Sequence, residues 1–202
     1  PQKIFSPKRY FPPMDQLPPK TGLLWHSDML LHAISLTDPT KMLSHPENPS
    51  RLKGIISNLT LKGYDALPDV EKICEYPEAT KEFVNSAHNL DAKDWYDHIS
   101  QLWPENETSR ENLYYTDTYY NRHTGRAALL SAGGVKVSVD KVMSGEWKNC
   151  FAAIRPPGHH AGTCGIVSGF CFINNVVCGA KYAQQKYGVR RIVIFDWDVH
   201  HG

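Results

Sequence analysis

Two apolar runs, each ending in charged residues, decide the fold class. Residues 150–160 read Cys-Phe-Ala-Ala-Ile-Arg-Pro-Pro-Gly-His-His, and residues 192–201 read Ile-Val-Ile-Phe-Asp-Trp-Asp-Val-His-His. The runs over 150–154 and 192–195 predict buried strands, and apolar residues at helical spacing predict a helix over 173–187 between them. Its inward positions are Ile173, Val176, Val177 and Ala180. Strand, helix and strand in succession predict parallel pairing in an α/β sheet, where sites form beyond the carboxyl ends of the strands.

The rest of the chain continues this alternation of strands and helices. We expect a first strand to begin at Leu23 and Leu24, and helices over 51–63, 79–88 and 125–145. The inward positions are Leu52, Ile55, Ile56 and Leu59 in the first of these helices, and Ala128, Ala132, Val135, Val139 and Val142 in the last. Residues 1–20 are proline-rich and predict a tail or linker, and residues 89–112 lack a period and predict a surface insertion.

Composition is that of a globular protein without an electrostatic bias. Of 202 residues, 41% are hydrophobic and 21% charged, and the formal net charge is +1. This charge gives no reason to expect nucleic acid or a membrane surface as a partner, and neither a membrane-length apolar run nor a signal peptide is visible. The five cysteines are irregularly spaced without a CxxC pair, which favours reduced thiols in a nuclear or cytosolic protein over disulfides.

The segment Asp196-Trp-Asp-Val-His-His201 carries metal-binding chemistry. Asp198 and His200 alternate, so both side chains point the same way from an extended segment. Carboxylate and imidazole are good zinc ligands, and a catalytic zinc needs three protein ligands and an open position. Asp196 is suited to accept a hydrogen bond from a histidine close to the metal and so to orient its ring. The alternative is a strand end with solvated polar groups, and the crowding of aspartates and histidines favours the metal.

The segment Arg155-Pro-Pro-Gly-His-His-Ala161 carries proton-transfer chemistry. Its prolines stiffen the loop, and imidazole titrates near neutral pH, so His159 and His160 are suited to act as acid and base. The alternative is a surface loop with a chance histidine pair. Both segments together predict metal-assisted hydrolysis, in which the metal activates water and a histidine moves its proton.

Three blocks of the sequence resemble the signature blocks of the histone deacetylase family, in the family's order. They are Arg155–Ala161, Gly169-Phe-Cys-Phe-Ile-Asn-Asn175 and Asp196–Gly202, and Trp197 in the last block is similar to class II members. Further similarity to class II lies in residues 21–23, 45–51 and 117–121. The resemblance covers residues 21–202 as the N-terminal part of a catalytic domain. It implies an α/β, three-layer, arginase/deacetylase-like fold with a mostly parallel central sheet, truncated on its C-terminal side.

The resemblance also implies roles for the metal-binding and proton-transferring residues. Asp198 and His200 match two zinc ligands. His160 matches the general base and acid, and His159 matches its partner, which pairs with Asp196. Asp196 further matches a ligand of a structural potassium ion, together with backbone oxygens of Asp198 and His200.

Four more residues match substrate-binding positions of the family. Gly169 and Phe170 match the wall of the channel that takes the acetyl-lysine stem. Asp117 matches the carboxylate at the channel rim, and Arg51 matches an arginine of the internal cavity behind the metal. The remaining scattered histidines are interpreted as structural or solvated.

The chain begins with Pro1 and ends at Gly202, so we expect a fragment. In the family, the third zinc ligand, an aspartate, and the tyrosine or histidine that stabilises the oxyanion lie downstream of this point. We therefore expect the 202-residue polypeptide alone to hold zinc weakly, to be inactive and to fold poorly with exposed sheet edges.

The resemblance implies hydrolysis of the acetyl amide of N6-acetyl-lysine in histones or other proteins. It further implies a chromatin regulator acting in transcriptional repression, with a corepressor complex as partner and a location in the nucleus and also the cytoplasm. Two alternatives stay open, namely a deacetylase of acetylpolyamines or other small amides, and a deacetylase-like scaffold without catalysis.

Overall fold

A computed structural model describes residues 20–88, 94–102, 118–163 and 167–202. The strands are β1 (Thr21–Leu24), β2 (Val70–Ile73) and β3 (Asn149–Ala152). The α-helices are α1 (Pro39–Ser44), α2 (Pro49–Leu61), α3 (Lys81–Asn85), α4 (Trp95–Ser100), α5 (Thr124–Met143) and α6 (Asn175–Tyr187), and 3-10 turns cover Ser27–Leu31 and Tyr64–Ala66. The predicted tail, except Lys20, and most of the predicted insertion lie outside the described residues.

The sheet is parallel throughout, as the strand–helix–strand pattern predicted. Its strand order is β2-β1-β3, with Thr21 of the central strand opposite Val70 on one side and Asn149 on the other. Helices separate the strands in sequence, because parallel strands need long crossover connections. All carboxyl ends therefore lie on one edge, where the loop carrying His159 and His160 begins.

Helix α5 packs against both β1 and α6 and forms the centre of the core. Its first half, from Thr124 to Gly134, is buried at every position except Arg126. Small residues permit this close packing, since a Cβ at Gly133 would lie 2.4 Å from the Pro77 carbonyl oxygen. The predicted stripe is confirmed at Ala128 and Ala132, while its later valines are half-buried.

The helices predicted over 51–63 and 173–187 are confirmed as α2 and α6, with corrections to their faces. Asn174 caps α6 by accepting a hydrogen bond from the Val177 amide. Ile173 therefore lies before the first turn of the helix, and its burial does not indicate which helix face is buried. Helical spacing counted from Ile173 therefore misplaces Val176, which is 51% exposed. Ile55 on α2 is also exposed rather than inward.

The strand predicted over 192–195 is wrong for the described residues. This segment lies in no strand, and its side chains face solvent, with Phe195 81% exposed. A strand exists only through ladder hydrogen bonds to a neighbour, and the described residues provide none for this segment. For the same reason β3 is an edge strand with an exposed Phe151, and not the buried strand predicted over 150–154.

Part of the region predicted as an aperiodic insertion is helical. Helix α4 buries Trp95 and Ile99, and the Trp95 indole N–H donates to the Phe172 carbonyl oxygen at 2.9 Å. Two anchor residues in one short helix are too few to produce a detectable period, so tertiary contacts decide the structure here.

The four cysteines among the described residues are free, and burial raises the pKa of both Cys171 and Cys178 to about 12, which keeps them as inert thiols. In the part of the chain that the structure describes, no helix combines the length and apolarity that crossing a membrane requires.

Candidate active site

The structure brings five of the predicted residues together, here called the His–Asp cluster. Its members are His159, His160, Asp196, Asp198 and His200. The His159 Nδ1 atom lies 2.9 Å from a carboxylate oxygen of Asp196, so this ring donates its Nδ1 proton to the carboxylate. The His159 and His160 rings lie 4.1 Å apart between centroids, and the His160 and His200 rings 6.2 Å. Two segments 37 residues apart in sequence thus form one site.

The loop before His159 is held in place by bonds to its backbone. The Ser131 hydroxyl donates to the Pro156 carbonyl oxygen at 3.0 Å, and the Asn175 amide donates to that hydroxyl at 2.9 Å. Gly158 lies so close to α6 that a Cβ there would meet the Ile173 carbonyl oxygen at 2.4 Å. The loop therefore depends on α5 and α6 for its position.

The two candidate zinc ligands face each other. The Asp198 Oδ1 and His200 Nδ1 atoms lie 3.0 Å apart, and the backbone N–H of His200 donates to the same carboxylate oxygen at 2.9 Å. These bonds, the backbone one first, lower the pKa of Asp198. A backbone hydrogen bond from Asp198, followed by the His159 ring, lowers the pKa of Asp196. Both carboxylates are therefore ionised at neutral pH.

The donor set fits zinc in its chemistry and spacing. Zinc bonds of about 2.0–2.1 Å in tetrahedral geometry separate two ligand atoms by roughly 3.3 Å, close to the 3.0 Å between Asp198 Oδ1 and His200 Nδ1. Within residues 20–88, 94–102, 118–163 and 167–202, however, no group of three His, Cys, Asp or Glu residues is arranged to hold a metal. Asp198 and His200 are thus a candidate pair, one residue short of the three ligands that a catalytic zinc needs.

The segment predicted to line the substrate channel lies against His160. Gly169 has a φ of +51°, and a Cβ there would lie 2.2 Å from the His160 Cδ2 atom. Phe170 also has a positive φ, of +69°, and its N–H donates to the Thr118 hydroxyl at 3.1 Å. The Phe170 ring contacts the His45 ring edge-on with centroids 4.7 Å apart. Only glycine at position 169 allows this approach to the imidazole.

Of the other two predicted substrate residues, the structure places only Arg51, and it does not bring Arg51 to the His–Asp cluster. Arg51 is exposed and lines an open apolar groove between α2 and β3 with Ile55, Leu59 and Phe151. The residues that line this groove include no member of the cluster. Asp117 lies outside the described residues.

A buried ion pair beside the site escaped prediction. Glu47 is fully buried and accepts hydrogen bonds from the Arg155 guanidinium at 2.7 and 2.8 Å and from the Tyr119 hydroxyl at 2.9 Å. Arg155 also donates to the carbonyl oxygens of Met29 and His32. Burial alone would raise the pKa of Glu47, but the Arg155 bond and the surrounding positive charge reverse this and lower it.

One signal for this pair was present in the sequence. Arg155 follows directly on an apolar strand, where an arginine is buried only with a partner. The partner could not be read from sequence, because Glu47 lies 108 residues away. His32 belongs to the same buried region, and its Nδ1 atom shares a hydrogen bond of 2.8 Å with the Thr124 hydroxyl.

Comparison with known proteins assigns the chain to a protein family. Residues 45–202 match the family model of the histone deacetylase domain, and the chain belongs to the histone deacetylase family. Its relatives are class II members. The fold agrees, since the crystal structure of the HDA15 HD domain superposes with a TM-score of 0.73 at 34% identity, over 90% of this chain and 48% of that one.

The curated relatives include both histone and polyamine deacetylases. The chain is 38% identical to histone deacetylase 15 of Arabidopsis thaliana and 33% identical to histone deacetylase HDA1 of Saccharomyces cerevisiae, over 90% and 98% of its length. It is also 33% identical to polyamine deacetylase HDAC10 of Rattus norvegicus, over 90% of its length. These alignments span 29–30% of each relative.

Proposed function

We propose that this chain carries part of the active site of a class II, zinc-dependent protein-lysine deacetylase, which hydrolyses the acetyl amide of N6-acetyl-lysine in histones or other proteins. The 2.9 Å bond between His159 and Asp196 supports this most directly, because it joins the proton-transfer segment to the metal-binding segment. Proton transfer and metal binding are the two functions that such a hydrolysis needs at one place.

Each member of the His–Asp cluster has a role in this proposal. Asp198 and His200 would hold the zinc, which when bound lowers the pKa of water and polarises the amide carbonyl. His160 takes the proton from the water and later returns it to the leaving amine. His159 supports it, because its Nδ1 proton is held by Asp196 and its Nε2 atom is left free to accept a hydrogen bond. Asp196 would also bind a structural potassium ion, with backbone oxygens of Asp198 and His200.

The proposed substrate site uses residues at and away from the cluster. Gly169 and Phe170 would line the channel for the acetyl-lysine stem, which agrees with the approach of Gly169 to His160. Asp117 would bind the substrate backbone at the rim, whereas the exposed position of Arg51, in a groove that includes no member of the His–Asp cluster, does not support its predicted role in the internal cavity. We propose a corepressor complex as partner, a role in transcriptional repression and a location in the nucleus and cytoplasm.

A second candidate is deacetylation of acetylpolyamines. It is favoured by the identity of 33% to polyamine deacetylase HDAC10, which equals the identity to histone deacetylase HDA1. Similarity therefore does not separate the two substrates.

The test uses the full-length protein purified from its source, with an acetyl-lysine histone peptide and acetylspermidine offered at equal concentrations. We expect hydrolysis of the peptide to dominate and to be lost on chelation of zinc or in His160→Ala. Preference for acetylspermidine would establish the second candidate. A zinc-loaded, folded protein that hydrolyses neither would support the scaffold alternative and contradict our proposal.

A further inference from the structure

His88 lies at the junction of the two backbone segments that flank the candidate site. Its side chain is buried, with 2% exposure for the residue. The Nδ1 atom lies 3.0 Å from the Gly162 carbonyl oxygen, and the Nε2 atom lies 2.9 Å from the Asn174 backbone nitrogen. These two residues follow, respectively, the histidine pair and the Gly169–Phe170 wall in the chain.

The partners define the protonation of this ring. A carbonyl oxygen only accepts, so Nδ1 must carry the proton, and a backbone N–H only donates, so Nε2 must be unprotonated. His88 is therefore neutral with its proton on Nδ1. Burial, which outweighs the bond to Gly162, lowers its pKa and keeps this form at neutral pH.

The two bonds hold different parts of the site. Gly162 lies two residues after His160, so the Nδ1 bond restrains the end of the histidine loop whose start is held at Pro156. Asn174 caps α6, and the Nε2 bond restrains that helix start. Trp95 packs beside His88 with ring centroids 5.8 Å apart and restrains the neighbouring Phe172 carbonyl.

We propose that His88 is a positioning residue for proton transfer, which acts by holding the Gly162 carbonyl and through it the placement of His160. The inference rests on the proposed deacetylase function. A purely structural residue would act equally through both bonds, whereas in this proposal the bond to Gly162 acts directly on the loop that carries His160 and matters more for the chemical step than the bond to the start of α6.

A matched pair of variants tests this in the full-length protein. In His88→Asn the side-chain amide nitrogen is attached to Cγ, as Nδ1 is, so it retains the donor to Gly162 and loses the acceptor for Asn174. In His88→Gln the amide group reaches the Nε2 position, so it retains the Asn174 bond and loses the Gly162 bond. Each variant loses one buried hydrogen bond, which makes their losses of thermal stability comparable.

We expect His88→Gln to lower kcat about 100-fold with KM unchanged, as a displacement near 1 Å of a reacting group does, and His88→Asn to lower it less than about tenfold. Equal losses of kcat in the two variants, or a loss expressed in KM, would overturn the proposal. So would activity of His88→Gln equal to that of the wild type.

A second measurement does not depend on activity. Imidazole nitrogen NMR of the histidine-labelled full-length protein should show His88 as the Nδ1–H tautomer, and the His159 and His160 signals should move in His88→Gln but not in His88→Asn. An Nε2–H tautomer in the wild type overturns the positioning role even where the variants fail to fold. If the wild type hydrolyses no acetyl amide while these shifts appear, the proposed function fails and the positional coupling stands.

Discussion

Replacing Arg155 with methionine should destabilise the domain severely. The substitution leaves the Glu47 carboxylate fully buried with the Tyr119 hydroxyl at 2.9 Å but without the guanidinium that donates two hydrogen bonds to it. Removing one partner of a buried ion pair costs about 3–5 kcal/mol. At about 2–4 °C per kcal/mol for a domain of this size, we expect the melting temperature to fall by roughly 6–20 °C.

The assay is thermal and urea unfolding of wild type, Arg155→Met, Glu47→Gln and the double variant. Because each single change strands the other group, the double variant should lose less stability than the sum of the singles, by on the order of 0.5–3 kcal/mol. Arg126→Met is the matched control, since Arg126 is 52% exposed in its pairs with Asp28 and Glu78 and should cost at most about 1 kcal/mol. A loss in Arg155→Met no larger than in this control, or strict additivity in the double variant, would show that the buried pair of Arg155 and Glu47 does not stabilise the domain.

Three further perturbations test the site and its surroundings. Gly169→Ala should lower kcat by about 100-fold, because its Cβ would lie 2.2 Å from the His160 ring. Gly54→Ala is the control, since its Cβ would meet nothing within 4 Å. Equal activity of the two variants would contradict the proposed channel wall. Burial lowers the pKa of His32 to about 3, below the usual 6.5, so the stability from its neutral form is fully present above pH 6.5 and is lost as pH falls toward 3. Unfolding free energies measured against pH should therefore fall by up to about 1.4 kcal/mol per unit in the wild type, and the slope should flatten in His32→Gln; an unchanged slope would show that His32 is not held neutral. The polypeptide 1–202 alone should bind zinc weakly, and Asp198→Ala should abolish what binding there is; tight stoichiometric zinc by titration would show that the described pair of ligands is not the whole site.

The class of fold and the residues proposed for the His–Asp cluster could be predicted from the sequence. Buried parallel strands appear in the sequence as apolar runs followed by polar residues, and the helices between them appear as apolar residues with a 3.6-residue period. The alternation of strands and helices could therefore be predicted from local sequence. The metal-binding and proton-transferring side chains lie within two short segments, at 159–160 and 196–200. Spacing within a segment predicts which groups share a direction, and this part needed no tertiary information.

Tertiary structure decided what surrounds those groups. Arg155 meets Glu47 across 108 residues of sequence, and His88 meets Asn174 across 86, and neither pairing has a local signature. The run at 192–195 shows the converse. Its composition predicts a buried strand, but its exposure depends on whether a neighbouring strand pairs with it. Hydrogen bonds between distant segments and the burial they require are properties of the assembled fold, and so they could not be read from the residues that make them.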